Sequence, residues 1–276
     1  DAIEAVLRGG RSSLAAAGAL RDDVSTDEIT PIAILTHYDE QLGRFPYTGL
    51  EVDGRKPIVP GAIAASGIEV VVAGGRYGKG SSREHSPAAE KLAGVRLVIA
   101  RSFERIYRQN ADNIGLFTST DFGLVERIEA GEAIDLDELL AGRDALACAI
   151  LRSGGLLRFG ASHLRQPEAA PASGTERPRT LFEKIVERHA LSTPVTGGRP
   201  APGDGAFVRA DLRFIHEYYT GMAAHMLHAA FGPRLELHRP DSIVVFEDHT
   251  SYVEESPPHV RGGVVPNVHR MVAAQR

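Results

Sequence analysis

Two short runs rich in β-branched residues, IEVVVAG at 68–74 and VRLVIA at 95–100, constrain the fold more than any other feature of this 276-residue chain. Each is bounded by glycine or polar residues, the pattern of a strand buried on its faces. Between them, SPAAEKLAG offers Ser86 as a helix cap, Pro87 at the first helical position and Gly94 as a stop, so a helix is expected over 86–94. Ser102 can cap a second helix, FERIYRQNADN, ahead of Gly115 and the strand-like LFTST. Strands alternating with helices favour a layered α/β core.

The stretch 166–179, QPEAAPASGTERPR, has no apolar periodicity and reads as a linker. It separates an expected first domain, 1–165, from a second, 180–276. In the second, TLFEKIVERHA places Leu181, Ile185 and Val186 on one face of an amphipathic helix. GAFVRADL and DSIVVFEDH read as strands, and IHEYYTGMAAHMLHAAFG between them as a helix ending at Gly232. The tail after Ser256 has neither helix terminator nor final strand, and Asp1 stands where an initiator methionine belongs. The chain is therefore expected to be part of a longer product.

Charge and cysteine content exclude several function classes. The net charge of -5 provides no basic surplus to displace counterions, which argues against a general nucleic-acid binder. No apolar run approaches the roughly 20 residues of a membrane span, and the acids and arginines of the first 23 residues do not fit a signal peptide. A reducing, cytoplasmic compartment is expected. One cysteine, Cys148, excludes an internal disulfide and any multi-cysteine metal or cluster site built from this sequence alone.

The densest chemistry lies at 74–85, GGRYGKGSSREH. Both phosphate-loop patterns fail here, because Gly80 follows Lys79 and Arg83 stands where a third glycine belongs. The segment instead offers flexible backbone after a strand, the hydroxyls of Ser81 and Ser82, the Arg83 guanidinium and a nearby helix N-terminus. Together these suit a carboxylate or phosphate; alternatively the serines only cap the helix and Arg83 lies in solvent. His85 can act as a general acid or base, or serve as a hydrogen-bonded structural residue. In VSTDEITP, at 24–31, Ser25 or Asp27 can simply cap a turn. The histidines show no metal-ligand spacing: His225 and His228 share a helical face without an identifiable third ligand.

STDEITP, the stretch YGKGSSREHSPAAEKLAGVRLVIARSFERIYRQNADNIGL from Tyr77, and the spacing between them resemble the swivel domain, or small subunit, of the aconitase and isopropylmalate isomerase family. Beyond the linker, TLFEKIVERHA, D-x-x-x-x-H-E at 211–217 and EDH at 247–249 resemble the start of that family's large, cluster-bearing part. The resemblance implies a layered β/β/α swivel domain followed by an incomplete second α/β domain. It also implies a hydro-lyase or isomerase acting on a hydroxy di- or tricarboxylate, with a [4Fe-4S] cluster binding the substrate hydroxyl.

Carried over by motif position, Ser81 would be the base, and Ser82 and Arg83 would hold a substrate carboxylate, with Arg44 as a second contact. Asp27 would belong to the acid and hydrogen-bond network, while Asp248 and His249 would approach the cluster side. The family's cluster cysteines should follow EDH by many residues, so no cluster is expected on this chain alone and a cluster-bearing partner or continuation is implied. The competing expectations are a non-catalytic carboxylate-binding or assembly module and a phosphohistidine carrier with His85 as acceptor.

Overall fold

The computed structural model describes residues 2–10, 13–35, 37–80, 83–163, 168–169, 178–192, 195 and 200–246. Its chain divides into two compact units, Asp1–Arg143 with Ala147–Leu156, and Asp144–Leu146 with Leu157–Arg276. The elements run α1 (Ala2–Leu7), α2 (Leu14–Ala17), α3 (Thr26–Ile29), α4 (Ala62–Ser66), β1 (Val70–Ala73), α5 (His85–Leu92), β2 (Leu97–Ala100), α6 (Arg105–Ile114) and β3 (Phe117–Ser119). There follow α7 (Gly123–Glu129), α8 (Leu136–Leu140), α9 (Ala145–Arg152), α10 (Leu156–His163), β4 (Glu168–Ala169), α11 (Leu181–His189), β5 (Leu191–Ser192), β6 (Arg213–His216), α12 (Glu217–Phe231) and β7 (Ile243–Phe246).

The first unit is built on a parallel sheet of order β1-β2-β3, with Val70 opposite Leu97 and Leu97 opposite Phe117. The α/β expectation holds, and the sheet explains why Leu97–Ala100 within VRLVIA is continuously apolar. Val98 and Ala100 join the cluster containing Ile29, Ile63, Tyr77 and Leu116, whereas Leu97 and Ile99 join Leu124 and Val125. A central parallel strand covered on both faces requires hydrophobic residues at every position.

Two helix starts differ from expectation. Helix α5 begins at His85 with Glu84 as its N-cap, so Ser86 and Pro87 lie inside its first turn. The Ser86 hydroxyl is instead drawn to a tertiary partner, the hydroxyl of Thr30 at 2.7 Å. Helix α6 begins at Arg105 after Glu104, and the Ser102 Oγ accepts from the Arg76 N–H at 2.8 Å rather than capping the helix. A hydroxyl engaged by a long-range partner need not cap locally. Gly115 ends α6 in the left-handed conformation, as its position suggests.

In the second unit Thr180 forms a capping box with Glu183 at the start of α11, but none of the helix is buried and Leu181 is 74% exposed. GAFVRADL is not a strand: among the described residues its one ladder contact is a bridge from Val208 to Ala190. The strand is Arg213–His216, which pairs in parallel with β7 and delays the long helix until Glu217. The pairing partner of β6 lies 30 residues away in sequence, between Arg213 and Ile243, which local pattern cannot supply. Most of the expected linker, 166–179, lies outside the described residues.

Candidate functional site

Three segments remote in sequence converge where the chain leaves the sheet. The loop after β1 runs alongside 23–26: the Gly78 and Lys79 N–H groups donate to the Val24 carbonyl at 2.8 and 3.1 Å, and the Thr26 N–H donates to Lys79 O at 2.7 Å. On its other side the Tyr77 N–H donates to Ser102 O at 3.0 Å, and the Glu104 N–H donates to Tyr77 O at 2.8 Å. The STDEIT, glycine-loop and Ser-Phe elements thus meet beyond the carboxyl ends of β1 and β2, where open α/β sheets bind ligands.

Asp23 (φ 58°) and Arg76 (φ 56°) are left-handed and ion-paired at 3.0 Å, and Lys79 also reaches Asp23 at 3.6 Å. Left-handed non-glycine residues store local strain that the surrounding contacts must hold. Gly78 (φ +80°) packs flat on Tyr107, so a Cβ there would run into the Tyr107 Cβ and Cγ. Gly78→Ala is expected to lower stability by about 2–4 kcal/mol, combining left-handed strain with overpacking. A denaturant midpoint unchanged from the parent would contradict it.

Arg83 lies at the entry to α5 with its side chain 10% exposed, in an ion pair with Asp27, whose side chain is 57% exposed. The Arg83 Nη1 makes that pair and also reaches Thr30 O at 3.4 Å. Arg83 is therefore not solvated, the alternative that sequence left open. Asp27 sits in the first turn of α3, where Ser25 and Glu28 form a capping box. The capping role is taken by Ser25, which leaves the Asp27 carboxylate for Arg83. Ser86 fastens α3 to α5 through Thr30 and through Thr26 O at 3.3 Å.

His85 is 1% exposed, and among the described residues neither ring nitrogen has a hydrogen-bond partner. Burial lowers its pKa to about 4, the Leu35 backbone pulls the other way, and the Arg83 guanidinium adds to the depression. A neutral, enclosed imidazole does not act as a proton donor near neutrality and is not accessible as a phosphohistidine acceptor. The Thr26 hydroxyl, also buried and beside Gly80, has no hydrogen-bond partner among the described residues. Burial likewise raises the Glu84 carboxyl pKa.

Arg44 ends the 3-10 turn Glu40–Arg44 with an exposed side chain. Among the described residues no hydrogen bond or ion pair joins the Arg44 side chain to Asp27 or Arg83, which are paired with each other. Ser81, Ser82, Asp248 and His249 lie outside the described residues. Cys148, half-buried, points its Sγ at the carbonyls of Leu140 and Arg143 at 3.7 and 3.8 Å. One thiol does not fit a four-iron cluster. Among the described residues no group of three or more His, Cys, Asp or Glu side chains can hold a metal ion, and no helix is long and apolar enough to cross a membrane.

Beneath the loop lies a feature that sequence reasoning missed. Glu90, fully buried, receives hydroxyl bonds from Tyr47 and Tyr77 on Oε1 and from Tyr107 on Oε2, the last two at 2.5 Å. Burial pushes the Glu90 carboxyl up to about 7, opposed by the Tyr107, Tyr47 and Tyr77 hydroxyls, and burial also raises all three tyrosines well above their ordinary value.

Residues 62–120 match the family described as Aconitase C-terminal domain. The isopropylmalate/citramalate isomerase small subunit of Methanocaldococcus jannaschii is 33% identical over 153 residues, which cover 50% of this chain and 87% of that protein. The 3-isopropylmalate dehydratase small subunit of Desulfovibrio desulfuricans is 34% identical over 160 residues, 52% of this chain and 93% of its own length. A crystal structure of 3-isopropylmalate dehydratase from Methanocaldococcus jannaschii aligns at 30% identity over 52% of this chain and 90% of that one, with a TM-score of 0.39.

Proposed function

The chain belongs to the family of isopropylmalate dehydratase small subunits, the swivel part of the aconitase family, and from that premise we propose that it is the substrate-recognition portion of a hydro-lyase or isomerase acting on a hydroxy di- or tricarboxylate. The observation that carries this reading is Arg83: a nearly desolvated guanidinium at a helix start, beside a glycine loop, held by one exposed carboxylate. In a partly dry site, fixed N–H donors and a guanidinium fork favour a carboxylate over water. Asp27 orients Arg83 through Nη1 and shares it with an incoming substrate carboxylate.

The remaining roles follow family membership. Ser81 takes a proton from carbon, Ser82 joins Arg83 on the carboxylate and Arg44 makes a second carboxylate contact. Asp27 takes part in proton transfer, and Asp248 and His249 face the cluster side. We assign residues 1–165 to the small-subunit part and 180–276 to the beginning of a large-subunit part. The iron–sulfur cluster, which would bind the substrate hydroxyl, belongs to a cluster-bearing partner or continuation, and a cytoplasmic setting follows from that metabolic role.

The reading is tested by titrating the full chain with isopropylmalate, citrate, homocitrate and methylmalate while following its thermal midpoint. One of these acids is expected to raise the midpoint. Arg83→Lys, which keeps the charge but loses the planar fork, is expected to weaken that binding by about 1.5–3 kcal/mol. Absence of a shift with every acid, or an Arg83→Lys variant that binds as the parent does, would remove Arg83 from recognition.

A further inference from the structure

The Glu90 cluster does not belong to the proposed chemistry, yet it joins the segments that build the site. Tyr77 belongs to the glycine loop, Glu90 to α5 two turns after Arg83, Tyr107 to α6, and Tyr47 follows the 3-10 turn packed on α5. Its hydrogen count is informative. The Glu90 Oε1 and the hydroxyls of Tyr47 and Tyr77 form a triangle of three contacts, with the two hydroxyls 2.8 Å apart. A tyrosine hydroxyl donates one hydrogen, so two tyrosines satisfy only two edges. With both tyrosines donating to Oε1 the edge between their hydroxyls has no hydrogen; a proton on Oε1 closes the ring by donating to one tyrosine, which then donates to the other, which donates back to Oε1, while Oε2 continues to accept from Tyr107.

We propose that Glu90 is a proton-bearing positioning residue: as a neutral carboxyl it closes this ring and fixes the loop under Arg83, and loss of its proton opens one edge and loosens the loop. No competing ionic partner offsets this among the described residues. Lys91 on the same helix donates to Ile114 O and Gly154 O, Asp112 of α6 is paired with Arg143, Asp27 of α3 is paired with Arg83, and Glu40 and Arg44 of the 3-10 turn are exposed. His85, on the preceding helical turn, is neutral above about pH 4.

The folded chain retains a proton that the unfolded chain releases in the ordinary carboxyl range, so stability falls as pH rises toward about 7 and levels off above it. Loop ordering by this ring stands apart from the proposed function; only its effect on carboxylate recognition rests on that reading.

The test uses the full chain without ligand. Infrared titration is expected to show the C=O band of a protonated buried carboxyl disappearing near neutral pH, and Glu90→Gln, which keeps a donor and an acceptor, is expected to lack it. Hydrogen-exchange protection of the Tyr77 to Lys79 amides, corrected for intrinsic rates, is expected to fall about tenfold between about pH 6 and pH 8 in the parent and to stay flat in Glu90→Gln. An ionised Glu90 at about pH 6, readable without any variant, or identical pH curves for parent and Glu90→Gln, would overturn the proposal. Failure of carboxylate binding would leave both readouts unchanged, so the two readings fail separately.

Discussion

Arg143→Ala is expected to cost about 3–5 kcal/mol of stability, the scale for leaving a buried ion without its partner. Arg143 has a side chain only 4% exposed and Asp112 one only 12% exposed. The guanidinium donates through Nε to both Asp112 oxygens at 3.1 Å and through Nη2 to Oδ1 at 2.9 Å. It also donates to Thr118 Oγ1 at 2.7 Å and Leu139 O at 2.8 Å, so one side chain ties α6 to β3 and α8. Truncation removes every one of these donors and strands a carboxylate next to the core.

Replacing the pair together, Arg143→Met with Asp112→Leu, should recover much of the loss, because two apolar side chains need no counterion. Denaturant unfolding of both variants separates these cases. A cost below about 1 kcal/mol for Arg143→Ala would mean that the pair behaves like a solvated surface one.

In the complete enzyme, Ser81→Ala is expected to lower turnover by about 10²–10⁴-fold, the usual contribution of a positioned base, while leaving substrate affinity nearly intact. A serine hydroxyl serves as a base only where its alkoxide is stabilised by N–H donors and an adjacent cation. Next to Ser81 in sequence stand the glycine loop, Arg83 and the first residues of α5, the groups to which the proposal gives this stabilising role. The contrast with Arg83→Lys is diagnostic, since the arginine variant should act chiefly on binding and the serine variant on kcat. Turnover of Ser81→Ala equal to that of the parent would take Ser81 out of the mechanism.

Much of this was legible in the order of residues, and the rest was not, for identifiable reasons. IEVVVAG, VRLVIA and LFTST announce β1, β2 and β3 by their β-branched and apolar runs, a local property, and Leu97–Ala100 is apolar at every position because both its faces are covered. Gly115 and Gly232 mark the ends of α6 and α12 because a helix terminus requires a conformation that glycine adopts cheaply. The glycine loop, its serines and Arg83 stand out by composition, and a lone cysteine rules out a cluster on these residues.

Tertiary structure decided what depends on partners far along the chain. It took Ser86 and Ser102 away from capping by offering Thr30 and the Arg76 N–H, and it made Arg213–His216 a strand by pairing it with β7. His85 became a neutral, enclosed ring instead of a candidate acid or base, because desolvation is set by what packs around a group and not by its neighbours in sequence. Glu90 shows this most clearly. Nothing in AAEKLAG singles this glutamate out, and only folding brings three tyrosines from three other segments onto its carboxyl.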